Sequence, residues 1–178
     1  MKKAESIASI YNCYVNDLYT YALYLGFEKE IIMDAIHDVF CKFAADEKTL
    51  NDVSNVKFYL FRSLKNRLYD IHKSSREHIN INTIDYHDLP FKIHVTVEDK
   101  FINKEEQQQI KNQIEEMLDS LTERQREIVY LRYVQEYDYQ QISNLLSISI
   151  HGCRKLLSKA MQNLREKYGT LILLFLFS

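Results

Sequence analysis

Only three glycines and one proline are spread through this chain of 178 residues, and that scarcity limits what it can fold into. Tight hairpin turns need residues that tolerate positive φ, chiefly glycine, and proline presets many of the others. A sheet-rich fold would have almost nothing to turn with, so the expectation is an all-α protein. The 46% hydrophobic content is enough to build cores and excludes wholesale disorder. The length suits one domain or two small ones.

A formal net charge of −2 gives no support to bulk nucleic-acid binding. Any DNA-binding surface must therefore be a local basic patch, offset by acid elsewhere. Cys13, Cys41 and Cys153 are odd in number and widely spaced, which points to reduced thiols and to no disulfide or zinc framework. Met1-Lys2-Lys3-Ala4-Glu5 has no apolar run behind it, so neither a secretory leader nor export is expected, and the reading is of a cytoplasmic protein. The apolar run Leu171–Phe177 is far shorter than the roughly 20 residues that cross a membrane, so no transmembrane segment is expected. Packing of that run on the preceding domain is the simplest reading, with docking on a partner protein as the second.

Hydrophobic spacing divides the chain into two helical blocks. Tyr11, Tyr14, Leu18, Tyr21 and Leu25 recur at helical steps, and Gly26 is placed to cap that helix. Ile32, Ala35, Val39 and Phe43 predict a second helix. After a polar loop, Asn51–Asn55, a third carries Val56, Leu60, Leu64, Leu68 and Ile71. Its other faces mix Arg62, Lys65, Arg67, Lys73 and Arg76 with Phe58, Tyr59, Phe61 and Tyr69. The periodicity then fails. Between about Glu77 and Gln109 the chain is acidic and contains Pro90; a strand at Ile79–Asn82 is weakly suggested, and helix resumes near Ile102 or Asn103. The domain reading is a helical domain over 1–77, an acidic and mostly irregular linker over 78–109, a second helical domain over 110–169, and an apolar tail over 170–178.

The second block carries the most information. Thr122-Glu123-Arg124-Gln125 and Asp138-Tyr139-Gln140-Gln141 are capping boxes, in which the two side chains satisfy each other's exposed backbone donors. Ile128, Leu131 and Val134 form one apolar stripe; Ile142, Leu145 and Leu146 form the next. Ser149 then caps a long helix with Ile150, Cys153, Leu157, Ala160 and Leu164 on one face. Short helices, a three-residue turn and a longer basic helix describe a helix-turn-helix. Arg154, Lys155, Ser158 and Lys159 lie in the early turns of the last helix, the turns that reach base edges and phosphates in a major groove.

Leu118-Asp119-Ser120-Leu121-Thr122-Glu123-Arg124-Gln125-Arg126-Glu127-Ile128, Tyr139-Gln140-Gln141-Ile142, Leu145-Leu146-Ser147-Ile148-Ser149 and Leu164-Arg165-Glu166 resemble region 4 of bacterial RNA polymerase sigma factors. Asp34-Ala35-Ile36-His37-Asp38-Val39-Phe40 resembles region 2.2 of that family, and Tyr59-Leu60-Phe61-Arg62-Ser63-Leu64-Lys65-Asn66-Arg67 resembles regions 2.3 and 2.4. The helix-turn-helix alone is shared by many regulators; the three motifs in this order are specific. Without the additional domains of housekeeping factors, the chain resembles the minimal extracytoplasmic-function class.

That resemblance implies a promoter-recognition subunit of RNA polymerase rather than an enzyme, with no cofactor and no metal. Region 2.2 would dock on the polymerase clamp through Asp34, His37, Asp38 and Phe40. Regions 2.3 and 2.4 would recognise and melt the −10 element through Asn55, Phe58, Tyr59, Arg62, Lys65, Asn66, Arg67, Tyr69 and Lys73, with Asn66 lining the pocket for a flipped base. Opening a duplex requires a place for the bases, which stacking aromatics and an amide facing a Watson–Crick edge supply. Region 4 would read the −35 element through Ser149, Arg154, Lys155, Ser158 and Lys159. The implied partners are core RNA polymerase, promoter DNA and an anti-sigma factor, with no small-molecule substrate. The acidic linker would occupy a channel built for nucleic acid and yield to growing RNA. Three positions depart from the family's usual pattern: His37 where glutamine is common, Gly152-Cys153 where threonine-valine is common, and Leu156 where a basic residue is common. The alternative reading is a helix-turn-helix regulator that binds duplex DNA without polymerase.

Overall fold

A computed structural model describes residues 7–45, 55–77, 89–94 and 103–169, with side chains at 75–77 left aside. The loop residues 51–54, the strand suggested at Ile79–Asn82 and the apolar run Leu171–Phe177 lie outside these described residues. The chain divides into two compact units, Met1–Leu89 and Pro90–Ser178. No strand occurs among the described residues, as an all-α protein requires.

In the first unit α1 spans Ile7–Tyr24, α2 spans Lys29–Ala45 and α3 spans Val56–Glu77, each packed against the other two. Gly26, at φ 81°, ends α1 in the left-handed region. The Gly26 N–H donates to the Leu23 carbonyl at 3.0 Å and the Phe27 N–H to the Ala22 carbonyl at 3.4 Å, the two bonds of a Schellman cap. A side chain at that φ would be strained, so glycine is required there. Asn55 opens α3, its side-chain oxygen accepting from the Phe58 N–H at 2.9 Å. Leu18, Tyr21, Ile32, Ala35, Val39, Phe43, Leu60, Leu64 and Leu68 are buried, as their spacing predicts, and Phe61 joins them with its ring 5.2 Å from that of Tyr21. Val56 and Ile71 sit at the margin of the core.

The second unit opens its helices with caps. Asn103 accepts from the Glu106 N–H at 2.9 Å and starts α4, Lys104–Asp119, whose acidic first turn suits the positive end of the helix dipole. Lys104–Gln109, assigned to the linker by composition, is therefore helical. Thr122 and Gln125 form a capping box that opens α5, Glu123–Val129. Asp138 and Gln141 form another before α6, Tyr139–Leu146, and Ser149 caps α7, Ile150–Tyr168. Ser147 turns the chain in the left-handed region at φ 53°, braced by the Ser143 hydroxyl donating to the Ile148 carbonyl at 2.6 Å. At the far end of α7, Asn163 donates to the Ser120 carbonyl at 3.1 Å.

One stripe departs from expectation. After Val129 the chain runs through a wide π-turn, Tyr130–Val134, in which the Gln135 N–H reaches five residues back to the Tyr130 carbonyl at 3.1 Å. The extra residue per turn breaks the three- and four-residue stepping. Ile128 and Leu131 stay buried, while Val134, expected beside them, is 62% exposed.

Candidate nucleic-acid interface

Helix α7 separates its two faces cleanly. Cys153, Leu157, Ala160 and Leu164 are buried, and Arg154, Lys155, Ser158 and Lys159 are exposed on the opposite side. No aspartate or glutamate occurs between Ser149 and Arg165, so this face is basic although the chain as a whole is slightly acidic. The Ser149 hydroxyl oxygen accepts from the Gly152 N–H at 3.0 Å, which commits it first to capping the helix. Burial pushes the Cys153 thiol above its ordinary pKa, as expected for a residue that serves packing beneath the basic face.

The Arg154 guanidinium lies over the ring of Tyr139, 5.4 Å from its centroid, and Arg132 lies at the same distance from that ring. Arg132 also donates to the Tyr137 carbonyl at 2.9 Å. The neighbouring Tyr133 hydroxyl is raised above its usual pKa, by burial first, then by Tyr139, with Arg132 acting the other way. Two cations meet one aromatic ring at the mouth of the helix-turn-helix. Cation–π contact at a partly exposed site contributes about 0.5–1 kcal/mol and restricts where each guanidinium points.

On α3 the expected −10 residues separate into three groups. Arg62, Asn66 and Lys73 are exposed along one stripe, with Asn66 roughly opposite the buried Leu60–Leu64–Leu68 row. Asn55 belongs to the same stripe, with its amide oxygen occupied as the cap. Phe58 and Tyr59 are partly exposed, and Tyr59 rests on Phe43 with ring centroids 5.6 Å apart. Lys65, 4% exposed, and Tyr69 are buried and take no part in that surface. Arg67 is turned toward α2, where its Nε and Nη2 both meet one carboxylate oxygen of Asp38 at 2.8 Å.

Among the residues expected at the polymerase clamp, Asp34 and His37 are exposed. Asp38 is engaged by Arg67, and Phe40 is buried with its ring edge-on to Tyr11 at 4.9 Å. Phe40 thus supports the α2 surface from beneath. Cys41 Sγ lies 3.4 Å from His37 Nε2, one helical turn away.

Comparison with known proteins agrees with this geometry. Residues 111–164, from within α4 to the buried end of α7, match the family described as sigma-70, region 4. The chain is 26% identical over 164 residues to the ECF RNA polymerase sigma factor SigM of Bacillus subtilis (strain 168), covering 92% of this chain and 96% of that one. Over residues 111–164 the chain is thus similar to sigma-70 region 4, and over most of its length to an extracytoplasmic-function sigma factor. Its fold is also that of the sigma factor RpoE solved in complex with the anti-sigma factor NepR from Bartonella quintana, at a TM-score of 0.58 and 17% identity, covering 89% of this chain and 94% of that chain.

Within the second unit, sequence reasoning missed Tyr139 and Arg132 as parts of the candidate interface. Their signal was faint. Tyr139 follows a capping residue and looked like a helix start, and Arg132 sits in the π-turn. Only the three-dimensional fold brings Arg132 and Arg154 to the same ring of Tyr139.

Proposed function

We propose that the chain directs core RNA polymerase to promoters by a division of labour, the second unit holding the −35 element as duplex and the first opening the −10 element. The exposed, acid-free basic face of α7, with Arg154 braced on Tyr139, is the observation that carries this reading. A helix laid in the major groove presents its early turns to base edges, and arginine is the side chain suited to a guanine edge. Arg132 and Tyr139 add backbone contacts beside it, fixing the register of the reading helix.

On α3 the stripe Asn55–Arg62–Asn66–Lys73, flanked by Phe58 and Tyr59, suits a separated strand: cations for the phosphates, ring faces for the bases and the Asn66 amide for one base edge. Arg67, Lys65 and Tyr69 support that surface rather than meet DNA. Polymerase contact uses the exposed Asp34 and His37 on α2, with Asp38 and Phe40 holding the surface in shape. An anti-sigma factor is the natural regulator of such a subunit, and its place of action is the cytoplasm, where polymerase is found.

Run-off transcription with reconstituted core polymerase over a promoter library tests the reading directly. Promoter-specific transcripts are the expected result; duplex binding without any transcript would favour a polymerase-independent regulator. Asn66→Ala should reduce permanganate reactivity of the −10 region while leaving −35 duplex binding unchanged. Equal loss of both would defeat the proposed division.

A further inference from the structure

We infer that Phe91 anchors the connecting segment on the DNA-reading unit and so sets which spacings between the two promoter elements the chain accepts, an inference that rests on the function proposed above. Phe91 is 1% exposed, although it lies in a stretch without regular secondary structure, and its ring centroid is 5.6 Å from that of Tyr130. The compact second unit begins at Pro90, well before its first helix at Lys104. A buried aromatic in an irregular connecting segment is a docking point, because the exposed alternative forfeits most of the transfer energy of a large ring. Proline just before it fixes one backbone dihedral and biases Leu89 toward extended conformations, so presenting Phe91 costs less entropy.

The seat is itself rigid. Tyr130 is buried at the start of the π-turn, its hydroxyl accepting from Gln135 Nε2 at 2.7 Å and its carbonyl from the Gln135 N–H at 3.1 Å. That same turn carries Arg132, one of the two cations on Tyr139. The connecting segment is thus fastened to the element that orients the reading surface.

Anchoring changes reach. From Glu77, the end of α3, to Phe91 is about 14 residues, at most about 50 Å of extended chain; without the anchor, the run to Asn103 is about 26 residues and about 90 Å. With Phe91 anchored, chain length beyond it cannot add to the span between the units. Against a rise of about 3.4 Å per base pair, that difference corresponds to many base pairs of spacer.

The test is a pair of insertions in the full chain, read by transcription with core polymerase from promoters whose spacer is varied one base pair at a time. Four glycine and serine residues inserted between Asp85 and Tyr86, ahead of the anchor, add about 13 Å and should extend the accepted range by up to about four base pairs. The same four inserted between Thr96 and Val97, behind the anchor, should leave the profile unchanged. Combining the second insertion with Phe91→Ala should make it effective. Equal effects of the two insertions in the unsubstituted chain would overturn the inference. A readout that needs no polymerase stands beside it: Phe91→Ala should lower the melting temperature of the second unit by roughly 10 °C or more and leave the first unit's unchanged. An unchanged melting temperature refutes the anchor even if no promoter is transcribed. Absence of transcripts from the unsubstituted chain, with that melting shift present, instead counts against the proposed function alone.

Discussion

Helices α3 and α7 both carry a mixture of basic and apolar residues, yet the two use their cations differently. On α7 every cation in the early turns points away from a narrow buried stripe. On α3 the buried surface is broader, and it takes in Lys65, Phe61 and Tyr69, while Arg67 is drawn to Asp38 on the neighbouring helix. A helix that touches its domain along one stripe leaves its charges for a partner. A helix that buries a broader face consumes part of them in support. Charge on a helix is therefore evidence of a binding surface only in proportion to how little of that helix its own fold needs.

The comparison breaks most visibly if the two units share a core. Leu64→Ala and Leu157→Ala should each cost about 2–5 kcal/mol, but in different transitions: the first should destabilise only α1–α3 and the second only α4–α7. Hydrogen exchange resolved by helix distinguishes the two, and a single transition shifted by both substitutions would mean one cooperative unit.

A smaller effect sharpens the contrast between spent and available cations. Arg154→Ala should weaken binding to a −35 duplex by about 1–3 kcal/mol and make that binding less dependent on salt. Lys65→Met, which keeps the stem of the buried lysine, should leave promoter affinity and its salt dependence unchanged. A loss at Lys65 matching that at Arg154 would show that burial on α3 does not withdraw a cation from DNA.

The smallest effect concerns the Arg67–Asp38 pair. Both side chains are about two-fifths exposed, so a double-mutant cycle with Arg67→Ala and Asp38→Ala should return a coupling of only about 0.2–1 kcal/mol in stability. In transcription assays Asp38→Ala should impair polymerase association more than Arg67→Ala does. A larger effect of Arg67→Ala on −10 opening than on stability would return that arginine to the DNA surface.

Much of this was legible in the residues because capping and periodicity are local. Thr122 with Gln125, Asp138 with Gln141, and Gly26 each act within a few positions, and each appears where its neighbours demanded it. The apolar steps in α2 and α7 were equally readable, since one repeating face suffices to define a buried side. What escaped was tertiary. Nothing near Lys65 announces burial, because its environment is set by the other helices of the bundle. Val134 looked like a core residue because a regular helix was assumed where the backbone takes a wider turn. Tyr139 between two arginines, and Phe91 on Tyr130, join positions separated by a connection no short pattern encodes.

The wide turn at Tyr130–Val134 means that this stretch holds one residue more than an ordinary helix would need between the same end points. Shortening the chain by Val134, whose side chain faces solvent, would let regular helical bonding close across the gap. The residues that follow would then keep their directions about the axis of α5, because the wider turn had absorbed the extra position. Tyr139 would still meet Arg154, and the reading helix would keep its brace in a chain one residue shorter. In this fold, one turn takes up a change of length without redirecting the helix that follows.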